Sequence, residues 1–97
     1  MNFEDFRKEI ELRLVSKIKF ELIEYSFLPY SFGSGILAYR INGQNHKFVF
    51  DGKDNELTWL KSKSHEKYNE NEFTEYGKFE GLKISDEVLW KGLKNVA

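Results

Sequence analysis

The sequence predicts an α+β domain: an antiparallel meander of four or five strands with a helix at each end of the chain, in the order α-β-β-β-β-(β)-α. Three observations predict it. Apolar residues recur at spacings of three and four over positions 2–15 and alternate with a period of two through the middle of the chain; an acidic cap then opens an apolar-sided segment after Ser85. Asn42-Gly43 sits between two runs of β-branched and aromatic residues, and this dipeptide best tolerates the positive φ angles of a two-residue type I′ turn. The 97 residues include one Pro and seven Gly, which leaves no linker and makes positions 1–97 a single compact domain with one modest core.

Phe3, Phe6, Ile10 and Leu14 fall on one face of the first helix, and Arg7, Lys8, Glu11 and Arg13 on the other. Asn2 is placed to cap it, with Glu4 and Asp5 in the first turn, where the helix dipole favours negative charge. From Lys17 the period becomes alternating, with Ile18, Phe20 and Leu22 on one side. After Leu22 the apolar phase slips by one residue to Ile23, Tyr25 and Phe27, the signature of a β-bulge. Continuation of the helix through Ile18, Leu22 and Tyr25 is the rival reading, but it leaves Val15, Phe20, Ile23 and Phe27 off the helical face.

Leu28 to Gly35 is a Gly/Ser/Pro loop, expected to be a flexible connection. Its Gly-Ser-Gly leads into a strand and is followed by no Lys-Ser or Lys-Thr pair, so it lacks the context of a phosphate-binding loop. In the central hairpin, Ile41 should oppose Gln44, Tyr39 oppose His46, and Leu37 oppose Phe48. One face then carries Leu37, Tyr39, Ile41, His46, Phe48 and Phe50 as a core. The other carries Ile36, Ala38, Arg40, Asn45, Lys47, Val49 and Asp51 and should be at least half exposed. The turn residues of 51–55 lead to a further strand over Glu56 to Ser62, with Leu57 and Trp59 on one face and Thr58 and Leu60 on the other. Positions 62–71 read as a polar surface loop, and 72–80 as a fifth strand, an irregular strip or a helical turn. Ser85-Asp86-Glu87 caps the second helix, with Val88, Leu89 and Leu93 on its apolar side.

Composition excludes several functions. There is no Cys, so disulfides, thiol catalysis and Cys-based zinc sites are absent. The chain has no 18-residue apolar run and no basic-then-apolar N-terminus, which points to the cytoplasm and away from a membrane. Fifteen Lys plus Arg against sixteen Asp plus Glu give a net charge of −1, without the basic surplus usual in a nucleic-acid binder. Two histidines, His46 and His65, have no companions at metal-ligand spacing, and a core-edge His46 satisfied by one hydrogen bond is the expected state. The enzymatic alternative would use His46, Tyr39 and Arg40. The carboxylates at 66, 70, 72 and 75 lack the order of a calcium loop. No catalytic residue, metal ligand or cofactor is therefore assigned.

Two functional readings follow. The first is a small non-enzymatic protein-binding module, an inhibitor or immunity-type protein that covers the basic site of a partner such as a nuclease toxin. It rests on two strips that combine rings with polar groups: Tyr30 with Phe32, and Glu66, Tyr68, Glu70, Glu72, Glu75 and Tyr76. The second is a nucleic-acid-binding or regulatory module working through a basic strand face of Arg40, Lys47, Lys61 and Lys63. The helix-sheet-helix order resembles the double-stranded RNA-binding domain, but that family opens its second helix with lysines where this chain has Ser85-Asp86-Glu87. No family is assigned. Pairing of an open sheet edge with a second copy also stays open.

Overall fold

The computed structural model describes residues 2–15, 19–62, 73–80 and Lys91. Apart from Lys91, the expected helix after Ser85 lies outside the described residues, as do positions 63–72. Helix α1 (Phe3–Val15) precedes five strands: β1 (Phe20–Leu28), β2 (Ser34–Ile41), β3 (Gln44–Asp51), β4 (Glu56–Ser62) and β5 (Phe73–Glu80). They form one antiparallel sheet in the order β1-β2-β3-β4-β5.

Helix α1 starts where the sequence places its cap. The Asp5 N–H donates to the Asn2 Oδ1 at 2.8 Å, and the Phe6 N–H to the Asn2 carbonyl at 3.0 Å. On the outer face, Arg7 pairs with Glu11 and Arg13 with Glu9, each one helical turn apart. The β2–β3 hairpin adopts the expected register, with Ile41 opposite Gln44, Tyr39 opposite His46 and Leu37 opposite Phe48. Asn42 and Gly43 have φ of 52° and 82°, as a type I′ turn requires.

Both outer strands carry a bulge. In β1 the register with β2 shifts between Leu22 and Glu24, so Ile23 is the extra residue and the apolar phase slips there as expected. In β5, Trp59 opposes Gly77 while Leu60 opposes Glu75, which leaves Tyr76 as the extra residue. That bulge explains why 72–80 reads ambiguously. Phe73 and Phe79 share parity, yet Phe79 packs against the core while Phe73 lies on the opposite face under the Lys47 ammonium, 5.7 Å from its ring centre.

The core lies between α1 and one sheet face. Phe3, Phe6, Ile10 and Leu14 pack over Leu37, Tyr39, Ile41, Phe48, Phe50, Leu57 and Trp59, none more than 4 % exposed. The Phe3 ring stacks on Phe27 at 5.7 Å and tilts against Tyr25 at 5.9 Å and Phe50 at 6.2 Å. It also sits directly on Gly35, where a Cβ would come within 2.5 Å of the ring. Phe48 contacts both Phe6 and Trp59, with ring centres 5.4 and 5.3 Å away.

The second sheet face is drier than its composition suggests. Ala38 and Asn45 have no exposure, and of the seven hairpin residues on this face only Asp51 is exposed. Two polar contacts make this feasible. Glu24 and Lys47 flank Ala38 on neighbouring strands and pair at 3.8 Å, and the Arg40 Nε–H donates to the Asn45 Oδ1 at 3.2 Å.

The loop 29–33 is held at two points, where a free connection was expected. The Ser31 N–H bonds the Leu28 carbonyl and the Ser34 N–H the Ser31 carbonyl, each at 3.0 Å. Phe32 and Gly33 take left-handed backbone, at φ 59° and 75°. The Ser34 Oγ then accepts from the Gly52 N–H at 3.0 Å, which ties the loop to the β3–β4 turn. That turn is itself shaped by Asp51, whose Oδ1 accepts from the N–H groups of Lys53 and Asp54. A Cβ on Gly52 would lie 1.9 Å from the Phe32 carbonyl oxygen. Gly52→Ala is therefore expected to push the loop off the turn and to cost about 1–3 kcal/mol, the scale of an overpacking strain; urea unfolding checks this, and an unchanged midpoint would show that the two segments do not touch.

Candidate interaction surface

The feature that stands apart from the core is an exposed apolar strip along β1 and the loop that follows, with Leu22, Tyr25 and Phe27 on the helix side of the sheet and Leu28 turned to the other side. Leu22, Tyr25, Phe27 and Leu28 are 36–51 % exposed, Phe32 is 70 % exposed and Tyr30 projects wholly into solvent. Among the described residues, α1 alone packs on this face of the sheet. A helix is about 10–12 Å across and strands are spaced about 4.8 Å apart, so α1 roofs two to three of the five strands. Among the described residues β1 ends the strand order, pairs with β2 alone and is partly uncovered. Exposed apolar residues that cluster mark contact surfaces more often than isolated ones do.

At the loop end the strip borders a cleft of about 230 Å³. Its walls are Phe3, Phe27, Phe32 and Phe50, and Glu4 and Asn55 contribute polar groups at its edge. The Tyr25 hydroxyl donates to the Glu4 Oε1 at 2.8 Å, and the Arg7 guanidinium lies over the Tyr25 ring at 4.6 Å. The hydrogen bond to Glu4 holds the Tyr25 phenol above its ordinary pKa. The Lys53 ammonium stands 5.9 Å from the centre of the Phe32 ring.

Of the residues the sequence singled out for a protein partner, Tyr30 and Phe32 are thus on this surface. Glu75 is exposed on β5, beside Lys78 at 3.8 Å, across the sheet from them. Tyr76 is the bulged residue of β5, and nothing further is described of its side chain. Glu66, Tyr68, Glu70 and Glu72 lie outside the described residues. The sequence places Leu22, Tyr25 and Phe27 on an alternating strand and Leu28 at the start of the loop, and alternation alone does not distinguish a covered face from an exposed one. The available signal was β1's place as the first strand of a meander, hence at an edge.

The cations expected on one basic face do not share one. Lys61 opposes His46 on the core side of the sheet, 5.9 Å from the centre of the Trp59 ring, whereas Arg40 and Lys47 point to the other side. The period of two decides this: His46 and Lys47 are neighbours in sequence and so face opposite ways. Lys47 is moreover only 15 % exposed, paired with Glu24. Lys63 lies outside the described residues.

Neither do the residues of the enzymatic alternative converge. His46 and Tyr39 are fully buried on the core face, and Arg40 is on the opposite one. The Tyr39 hydroxyl donates to the Glu11 Oε1 at 3.2 Å; burial first, and the Glu11 charge second, hold its pKa well above the ordinary range. The His46 Nδ1 accepts the Trp59 indole N–H at 3.1 Å, which puts the imidazole proton on Nε2. That Nε2 has no hydrogen-bond partner among the described residues. His65 lies outside them. Among the described residues no three His, Asp or Glu side chains gather as a metal site would need, and no helix is long and apolar enough to cross a membrane.

Comparison with known proteins finds no match to this chain among family models, curated sequences or solved structures.

Burial, and secondarily the Lys61 charge, push the His46 pKa down to about 4 from 6.5. Above pH 6.5 the imidazole is neutral in both the folded and the unfolded chain and stability is full. Between pH 6.5 and 4 only the unfolded chain takes up the proton, so stability falls by up to roughly 1.4 kcal/mol per pH unit. His46→Gln, which keeps an acceptor for Trp59 without titrating, is expected to flatten that slope in urea unfolding measured at a series of pH values. A slope equal to that of the natural chain would assign the acid sensitivity elsewhere.

Proposed function

We propose that this chain is a small non-enzymatic protein-binding module, of the inhibitor or immunity kind, that covers a basic site on a partner such as a nuclease toxin. The observation that carries this reading is the exposed apolar strip from Leu22 to Phe32, ending in Tyr30 and Phe32 on a loop anchored at both ends. Aromatic side chains presented by a restrained backbone lose little conformational freedom on binding, which is why interfaces concentrate their energy in such residues. The negative charge near the strip, on Glu4, Asp5, Asp51 and Asp54, supports a cationic partner surface through faster and better-oriented encounter.

Nucleic-acid binding, the other reading of the sequence, draws less support. A stacking platform needs its cations and rings on one accessible face, and here Lys61 is separated from Arg40 and Lys47 by the sheet itself.

The test is a pull-down of the tagged protein from its host's lysate, with and without nuclease, alongside a Tyr30→Ala, Phe32→Ala double variant. One protein partner at near-equal stoichiometry should survive the nuclease and be lost with the double variant. The variant's own stability should change by less than about 0.5 kcal/mol, since both side chains are on the surface. Recovery of nucleic acid that washes off at higher salt, with the double variant binding as before, would sink the reading.

A further inference from the structure

The cleft beside Phe32 has a size and a chemistry that identify what enters it. Sites for cofactors and drug-sized molecules run to roughly 300–1,000 Å³, and this one holds about 230 Å³. That is room for one large side chain. Its four phenylalanine walls offer no cluster of donors to orient a polar substrate, while Phe3 and Phe50 form a floor already fixed by the core.

Acidic groups outnumber basic ones around it. The cleft is bordered by the first turn of α1, the β3–β4 turn, the uncharged loop 29–33, Phe27 of β1 and Phe50 of β3. Glu4, Asp5, Asp51 and Asp54 on those two turns stand against two nearby cations, Lys53 beside the Phe32 ring and Arg7, which lies over the Tyr25 ring and is paired with Glu11. Asp5, Asp51 and Asp54 are exposed and Glu4 partly so. The carboxylates that already accept a hydrogen bond, Glu4 from Tyr25 and Asp51 from its turn, keep further lone pairs for an incoming donor. A second copy of this chain is a poor occupant, because it would bring the same carboxylates against this rim.

We infer that the cleft receives one large apolar side chain carried on a basic segment of the protein partner, the ring or branched tip entering between Phe27 and Phe32 while flanking Lys or Arg residues meet the rim. This rests on the protein-binding reading above and adds to it the mode of docking and the partner's local sequence chemistry. The arrangement separates two tasks: the carboxylates govern approach and the cleft governs which side chain is retained.

The experiment is a titration of the isotope-labelled full chain, followed by amide chemical shifts, with the peptide Lys-Arg-Gly-Phe-Gly-Arg-Lys. One control peptide has Ala for Phe and another has Glu for every cation. The expected result is saturable shifts at Phe32, Gly33, Gly52 and Asn55, with affinity roughly ten-fold above either control, the scale of removing one interface anchor. Asp54→Lys, an exposed substitution that leaves the rest of the spectrum in place, should weaken the peptide several-fold. Equal binding of the Phe and Ala peptides, shifts centred on another part of the sheet, or no shifts at millimolar peptide would overturn the inference. A nuclease-resistant protein partner that leaves Phe32 and Gly52 unmoved when bound would remove the cleft from the interface while the protein-binding reading stood. A peptide that seats in the cleft of a protein whose lysate partner is nucleic acid alone would do the reverse.

Discussion

The contact on which the rest of the molecule depends is the Phe3 ring lying flat over Gly35. Any side chain at position 35 would occupy the space of the ring, and Phe3 is the first residue of α1, so this seat fixes where the helix begins to cross the sheet. Through the same ring the helix touches three strands, by way of Tyr25 and Phe27 on β1, Gly35 on β2 and Phe50 on β3. Phe6, Ile10 and Leu14 then follow at helical spacing over Phe48 and its neighbours, so one close approach aligns the whole apolar stripe. Asn2, one residue earlier, caps the helix at this point, and the cap and the ring together set both its start and its direction.

With α1 laid over the inner strands, the outer strand β1 keeps an apolar face without a complete roof, and the loop beyond it carries its rings outward. Among the described residues, the exposed rings are what a 13-residue helix leaves uncovered on a five-stranded sheet. The buried polar groups belong to the scaffold instead. Trp59 brings an indole N–H into the core, where a donor without an acceptor is costly, and His46 supplies that acceptor from the neighbouring strand. Tyr39 and Glu11 play the corresponding part between sheet and helix.

Much of this could be read from the residues, because local rules and tertiary packing agree. Asn42-Gly43 specifies its turn, the helix stripe is complete, and the phase slip at Ile23 is visible before any coordinates. The fifth strand was harder, since its bulge at Tyr76 places Phe73 and Phe79 on opposite faces and so erases the alternation that announces a strand. The surface was legible only in part. Tyr30 and Phe32 lie in a loop whose Gly, Ser and Pro residues mark it as external. Tyr25 and Phe27 have the same alternation as core residues, and only strand order, a property of the whole sheet, leaves them half exposed. The supposed basic face failed for a related reason: counting cations along the chain ignores that Lys47 and Lys61 stand on strands whose register sends them to opposite sides.

The strand order has a kinetic meaning as well. Each strand of β1-β2-β3-β4-β5 pairs with the one before it in the chain, so every ladder closes across a single connection. Sequential pairing keeps contact order below that of sheets with crossover connections, and lower contact order accompanies faster folding because less loop entropy is lost before native contacts form. The tight Asn42-Gly43 turn offers the shortest closure and the natural nucleus for β2 and β3. The docking of Phe3 on Phe50 joins residues far apart in the chain and brings together surfaces that the sheet must first assemble. The seat of the helix therefore depends on contacts that no single hairpin supplies.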